Sequence, residues 1–294
     1  MVSLIQQDQR QRAFGLHTFT TKPRQATKES IDEEHLSSLL EKPIHGKWFK
    51  NQSEITEVDL PASNNWLLRS NLRFETESLI CAAQEQALST NYLRSTIWKE
   101  PCSPKCRLCG EKDETIEHIV SGCKMLAGTK YTNRHNQICQ YLHWCILKDT
   151  NSSNVPDLWY QHKPEPTTTY EEKTIMWDVP QITDARTLHN RPDILIVDRK
   201  TRKGTIIDVA VPNDRNINVK VAEKITKYKD LKIELQKMYD LIQVEIIPVI
   251  IGALGTVGKN FKNYVHKISP QANCDTIQKT AILGTAHIVR NFLT

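Results

Sequence analysis

An α/β fold is expected: a mainly helical, cysteine-bearing region followed by a mixed sheet flanked by helices. Three observations carry this expectation. Two apolar runs, 193–198 (DILIVD) and 205–212 (TIIDVAVP), flank the charged turn RKTRKG. An amphipathic stretch at about 218–240 follows, and then a third apolar run at 244–251. Strands interleaved with a helix in this way define an α/β or α+β half. Upstream, apolar residues recur three and four apart between 66 and 97, which is helical periodicity.

In chain order, residues 1–60 form a polar lead-in dominated by Gln, Lys, Thr and Ser, with a short helix around 31–40. Residues 61–150 form a helical region. In its first part Leu79, Ile80, Ala83, Ala87 and Leu88 recur at helical spacing. A cysteine-rich segment at 102–123 comes next, then a helix with His135, Ile138, Leu142 and Cys145 on one face. Residues 149–169, rich in Pro, Ser, Thr and Asn, read as a linker. The sheet-bearing domain spans 170–294. The buried stripe of its 218–240 helix is expected from Val221, Ile225, Tyr228, Leu235 and Met238. A terminal helix at 277–293 gathers Ile277, Ala281, Ile288 and Phe292 near one face.

The chain has 294 residues, a net charge of +5 and a pI near 8.7, a mildly basic balance that suits a nucleic-acid partner without demanding one. No stretch approaches the ~20 apolar residues of a membrane span. The longest candidate, 244–257, is interrupted by Glu245, Pro248, Gly252 and Gly255. The first twelve residues lack the apolar core of a signal peptide. Eight cysteines in a cytosolic or nuclear setting point to thiols or metal ligands rather than disulfides.

Cys106 and Cys109 form a Cys-x-x-Cys pair, followed by His118 and then Cys123. Zinc takes four tetrahedral nitrogen and sulfur ligands, and a Cys-x-x-Cys turn presents two thiolates from one backbone loop. Gly110 supplies the permissive backbone that such a turn needs. Structural Zn²⁺ is therefore expected at Cys106, Cys109, His118 and Cys123. Cys102 is set aside because it lengthens the first pair, and Cys139 and Cys145 read as structural. The apolar helical face around His135 favours a packed, hydrogen-bonded core histidine.

The second chemical clue is acidic. Asp208 sits in an apolar strand between Ile207 and Val209, which is costly unless a cation neutralises it. Asp193 opens the preceding strand. A hairpin centred between Thr201 and Arg202 sets Asp208 opposite Leu195, and side-chain alternation then puts Asp193 and Asp208 on one face, roughly 7–8 Å apart along the diagonal. Such a pair suits one divalent ion, and a slip of one residue in register would separate it.

Pro192-Asp193…Asp208 resembles the motif of PD-(D/E)xK nucleases. The usual lysine two residues beyond the second acid is replaced by Ala210, and the nearest substitutes are Lys224 and Lys227 on the following helix. A solvated basic face, Lys220, Lys224 and Lys227, is the competing reading of that helix. The glycine-rich run 252–260 (GALGTVGKN) has the wrong spacing for a phosphate-binding Walker loop, and no Ser or Thr follows its lysine. It reads as a structural turn that could touch a DNA backbone.

The order of segments resembles the C-terminal part of site-specific non-LTR retrotransposon polyproteins of the restriction-like-endonuclease class. The runs that carry the resemblance are 45–49 (HGKWF), 82–90 (AAQEQALST), 105–109 (KCRLC), His118 with Gly122-Cys123, and 131–136 (YTNRHN). In the second half they are 191–193 (RPD), 208–212 (DVAVP), Glu223-Lys224 with Lys227-Tyr228, 252–255 (GALG) and 278–287 (QKTAILGTAH). The resemblance implies a PD-(D/E)xK-like nuclease that nicks double-stranded target DNA, the freed 3′ hydroxyl priming reverse transcription of the element RNA. By the same resemblance Asp193 and Asp208 would hold Mg²⁺, and Lys224 or Lys227 would act at the scissile phosphate with help from Tyr228. Arg134, His135 and Arg191 would contact nucleic acid, and the zinc knuckle would help engage it. A nuclear location without membrane association is implied as well. The sequence contains no polymerase motif, so a segment of a longer polyprotein, a truncated copy or a captured nuclease is expected. The alternatives are a catalytically inactive nucleic-acid-binding relic and a host nuclease of the same fold.

Overall fold

The computed structural model describes residues 23–42, 45–150 and 155–293. The lead-in expected at 1–22 and the middle of the linker, 151–154, lie outside the described residues. Polar composition does not keep the rest of the lead-in unstructured. Helix α1 spans Pro23–Leu40 and α2 spans Lys47–Glu54. Trp48 is buried in the same core as Trp66 and Ile80, with Phe49 packed against it, so two aromatic side chains in a polar sequence dock this segment. The helical periodicity of 66–97 is realised in pieces: a turn at Trp66–Arg69, α3 at Phe74–Gln84 and a π-helical turn at Leu93–Ile97. Helix α4 (Thr132–Lys148) buries Ile138, Leu142 and Cys145.

The second half is a five-stranded mixed sheet: β1 (Thr167–Tyr170), β2 (Lys173–Trp177), β3 (Ile194–Asp198), β4 (Lys203–Ala210) and β5 (Gln243–Ile250), hydrogen-bonded in that order. The first four strands are antiparallel neighbours and β5 runs parallel to β4. A parallel pair needs a crossover, supplied here by α5 (Ile217–Lys227) and α6 (Lys229–Met238). Strand β1 occupies the end of the expected linker. Its TTTY sequence is largely exposed, so no apolar alternation marks it, and pairing with β2 alone defines it.

Alternating side chains send β3 and β4 into two cores. Leu195, Val197 and Ile206 pack with Tyr228, Leu231 and Leu235 of the crossover. Ile194, Ile207 and Val209 pack against α4, α7 (Phe261–Ile268) and α8 (Cys274–Leu293). The crossover was expected as one helix and is two, broken at Tyr228 (φ −105°, ψ 13°). The break turns the buried stripe to Tyr228, Leu231 and Leu235, and leaves Met238 exposed. Helix α8 joins three cores: Ile277 and Ala281 face α4, Ile282 and Ala286 face Trp66, and Ile288 and Phe292 face Cys106 and Cys123. Helical region and sheet thus share their packing. No helix among the described residues is long and apolar enough to cross a membrane.

Candidate metal centre and acidic cleft

Cys106, Cys109, His118 and Cys123 converge on one point, with all four ligand atoms within 4.8 Å of one another. Cys106 Sγ lies 3.9 Å from Cys123 Sγ, and Cys109 Sγ lies 3.4 Å from His118 Nε2. These separations suit the edges of a tetrahedron built on metal–ligand bonds of about 2.0–2.3 Å. The loop is closed by Cys106 N–H donating to Lys112 O and Gly110 N–H to Cys106 O, with Gly110 in the left-handed region (φ 68°). A π-helical turn, His118–Gly122, spaces the second pair. Tyr131 Oη donates to Ile119 O at 2.7 Å and accepts from Cys123 N–H, tying that turn to the start of α4. Burial raises the Cys123 thiol to about 11 and depresses the His118 imidazole. This is a Cys₃His cluster that could hold a metal such as zinc. Cys102 stands outside it.

The acidic site forms where β3 begins and β4 ends. The hairpin register differs from the expected one by a full two-residue step. Ile194 pairs with Ile207, and extending the ladder sets Asp208 directly across from position 193. The turn is tighter because Asp198 Oδ1 accepts from Thr201 N–H and Arg202 takes the left-handed region (φ 54°). A two-residue step preserves side-chain parity, but Asp193 lies just outside β3, and its carboxylate turns to His135 of α4 while that of Asp208 turns to α5.

Asp208 is 1% exposed. Lys224 Nζ approaches Oδ2 at 2.5 Å, Lys227 Nζ approaches Oδ1 at 3.3 Å, and Tyr228 Oη donates to Oδ1 at 2.5 Å. Lys224, Lys227 and Tyr228 reach one carboxylate because they share one side of α5 and its broken end. Burial favours the protonated acid, but Lys224, Tyr228 and Lys227 outweigh it and hold Asp208 below the usual carboxylate range. The same environment pushes the Tyr228 phenol far upward, chiefly by burial. The neutralising charge expected from a divalent ion is thus met here by two ammonium groups.

Asp193 stands between the two helical layers. Its Oδ2 accepts from Val209 N–H at 2.6 Å and lies 3.0 Å from His135 Nε2. His135 is accordingly a half-buried partner of the acidic site rather than a core histidine. Burial works against its charged form, but Cys139 and Asp193 prevail and push the imidazole up to about 12. Asp193, His135, Asn136 and Lys224 line a cleft of about 490 Å³.

The other candidates sit differently from expectation. Arg134 is 2% exposed. Its guanidinium donates to Thr285 Oγ1 (2.7 Å) and Val211 O (3.3 Å), and its side chain fills the space that Gly284 leaves open on α8. It ties α4 to α8 and to Val211 just beyond β4, and offers little to a nucleic acid. Arg191 is half-exposed at the cleft rim, bridged to Asp178 by Nε (2.7 Å) and Nη2 (2.8 Å). The glycine-rich loop is occupied from within. The carboxylate of Asp214, 3% exposed, accepts from Leu254 N–H (3.0 Å), Thr256 N–H (3.1 Å) and Thr256 Oγ1 (2.7 Å). Its amides therefore cradle an internal anion, and a Cβ at Gly252 would collide with that carboxylate.

Sequence reasoning missed Asp214 and the place of Cys139, which lies one helical turn beyond His135; the i, i+4 spacing was the available signal for the latter. No family model matches the chain, and no curated protein matches it.

Proposed function

We propose that the chain is the DNA endonuclease segment of a site-specific non-LTR retrotransposon protein, with a restriction-endonuclease-like sheet and a zinc knuckle. The observation that carries this reading is the buried carboxylate of Asp208 with Lys224 and Lys227 on it, Lys224 and Asp193 both lining one cleft. Two carboxylates on adjacent strands are the hard oxygen donors that Mg²⁺ takes. The ammonium beside Asp208 Oδ2 marks that position as favourable for a cation. Mg²⁺ held by Asp193 and Asp208 would lower the pKa of a bound water and stabilise charge on the phosphate.

The chain's own residues have distinct parts. Tyr228 fixes the Asp208 carboxylate. Lys224, 15% exposed and lining the cleft, is the cation placed to meet the phosphate, with Lys227 behind it. Double-stranded target DNA is the substrate, nicked in one strand in the nucleus, and the element RNA is a second nucleic-acid partner engaged with help from the knuckle. A second reading, binding without cleavage, draws on one observation. Lys224, Lys227 and Tyr228 already compensate Asp208, so the constellation stands without a divalent ion.

Nicking of supercoiled plasmid in Mg²⁺ separates the two. The nuclease reading expects open-circular product that disappears with chelator and in Asp208→Ala. A folded, zinc-loaded protein that binds DNA and leaves it intact supports the second reading.

A further inference from the structure

We propose that His135, Cys139 and Asp193 form a second metal site, one that takes a borderline transition-metal ion such as Zn²⁺ or Co²⁺ within the cleft. The donor atoms His135 Nε2, Cys139 Sγ and Asp193 Oδ2 lie within 4.8 Å of one another. His135 Nε2 is 3.0 Å from Asp193 Oδ2, and Cys139 Sγ is 3.8 Å from both ring nitrogens of His135. A tetrahedral ion with bonds of about 2.0–2.3 Å needs ligand edges of about 3.3–3.7 Å, so binding takes a rotation of the His135 ring that aims its Nε2 lone pair at an ion shared with Cys139 and Asp193.

Three further features belong to a site of this kind. Two donors come from one rigid helix at i, i+4 spacing, which presents both on one face. His135 Nδ1 lies 3.0 Å from Asn136 Oδ1, the outer carboxamide contact that turns Nε2 toward an ion. The cleft adjoins the triangle, leaving room for a fourth, exchangeable ligand as in three-ligand zinc sites.

The donor set decides the metal. One thiolate, one imidazole and one carboxylate favour Zn²⁺ or Co²⁺ over Mg²⁺, which prefers oxygen alone. Binding is an exchange of protons for the ion: the Cys139 thiol and the imidazolium Nε2–H of His135 each lose one proton to solvent. Asp193 then changes from accepting a hydrogen bond to ligating the ion. Its consequence for cleavage rests on the nuclease reading above: an ion held here withdraws Asp193 from the Asp208 pair, so Zn²⁺ opposes Mg²⁺-dependent nicking.

The test uses protein with zinc already in the knuckle, titrated with Co²⁺ and followed by absorption, with a zinc indicator present to show that the knuckle keeps its metal. The expected result is one equivalent of Co²⁺ with a thiolate-to-cobalt charge-transfer band. That band is lost in Cys139→Ala, and binding weakens at least roughly tenfold in Asn136→Ala. His135→Gln, which keeps a hydrogen-bonding side chain at this half-buried position, is the second variant and also loses the band. No such band in the folded wild type with zinc retained, or an unchanged band in Cys139→Ala or His135→Gln, overturns the site. A protein that binds Co²⁺ this way but never nicks DNA retains the site and loses the nuclease reading; the converse pair of results sinks the site alone.

Discussion

Replacing Asp208 with asparagine removes a buried negative charge and keeps its shape. The carboxamide oxygen of the Asp208→Asn side chain can still accept from Tyr228, but the ammonium groups of Lys224 and Lys227 lose their counter-charge. Breaking a buried ion pair by removing one partner costs about 3–5 kcal/mol. Here the lysine side chains are 15% and 26% exposed and can turn their ammonium groups partly to water, which places Asp208→Asn at the low end, about 3 kcal/mol. For a chain of 294 residues that is a fall in Tm of about 5 °C. The pH dependence fixes the cause. Because the folded-state pKa of Asp208 is depressed, its contribution is fully present above the ordinary carboxylate pKa of about 3.9 and is lost as pH falls through the lower folded value. The gap between wild type and variant should therefore be constant near neutrality and close in acid. Denaturant titrations at pH 7 and at several acidic values measure it. A variant as stable as the wild type at pH 7, or more so, would mean that the lysines do not depend on this carboxylate.

Two further outcomes follow from geometry away from Asp208. Removing metal from the Cys106, Cys109, His118 and Cys123 cluster should release Ile288 and Phe292 at the end of α8, lowering stability and exposing that end to protease. Metal analysis should find one tightly held zinc, lost in Cys109→Ser. A second outcome concerns His143, which is fully buried with Nδ1 2.8 Å from His162 Nε2 and joins α4 to the segment before β1. Burial, aided by His162, lowers His143 to about 3, so the unfolded chain binds the proton first and stability falls as pH drops below about 6.5. The loss should reach about 2 kcal/mol by pH 5 in denaturant titrations, and His143→Asn should flatten that slope.

The readable parts of the sequence were those where one physical preference dominates. The runs at 193–198 and 205–212 carry most of β3 and β4 because continuous apolar side chains need two covered faces, and both cores supply them. The four zinc-type ligands were legible because their spacing is chemistry written in the chain. The register of β3 and β4 differs by two residues from the expected one because the turn is set by Asp198 and Arg202 and not by the apolar pattern. What was not legible depended on distant partners. Nothing local breaks the periodicity at Tyr228; the helix breaks where that side chain is buried against Asp208. Arg134 and His135 are neighbours in a helix, yet one turns into α8 and the other to Asp193, a division set by Gly284 and by the end of β3. The loop at 252–256 resembled an anion cradle, and its anion proved to be the side chain of Asp214.

In the proposed nuclease the two acids and Lys224 act together on a phosphodiester. Single-turnover nicking of supercoiled DNA by folded, zinc-loaded wild type, Asp193→Ala and Lys224→Ala tests it most directly. The expected result is Mg²⁺-dependent nicking by the wild type and a loss of roughly a hundredfold or more in each variant, the scale of removing one preorganised charge from a transition state. Nicking that persists unchanged in both variants, or a wild type that binds DNA in Mg²⁺ and never cuts it, would contradict it.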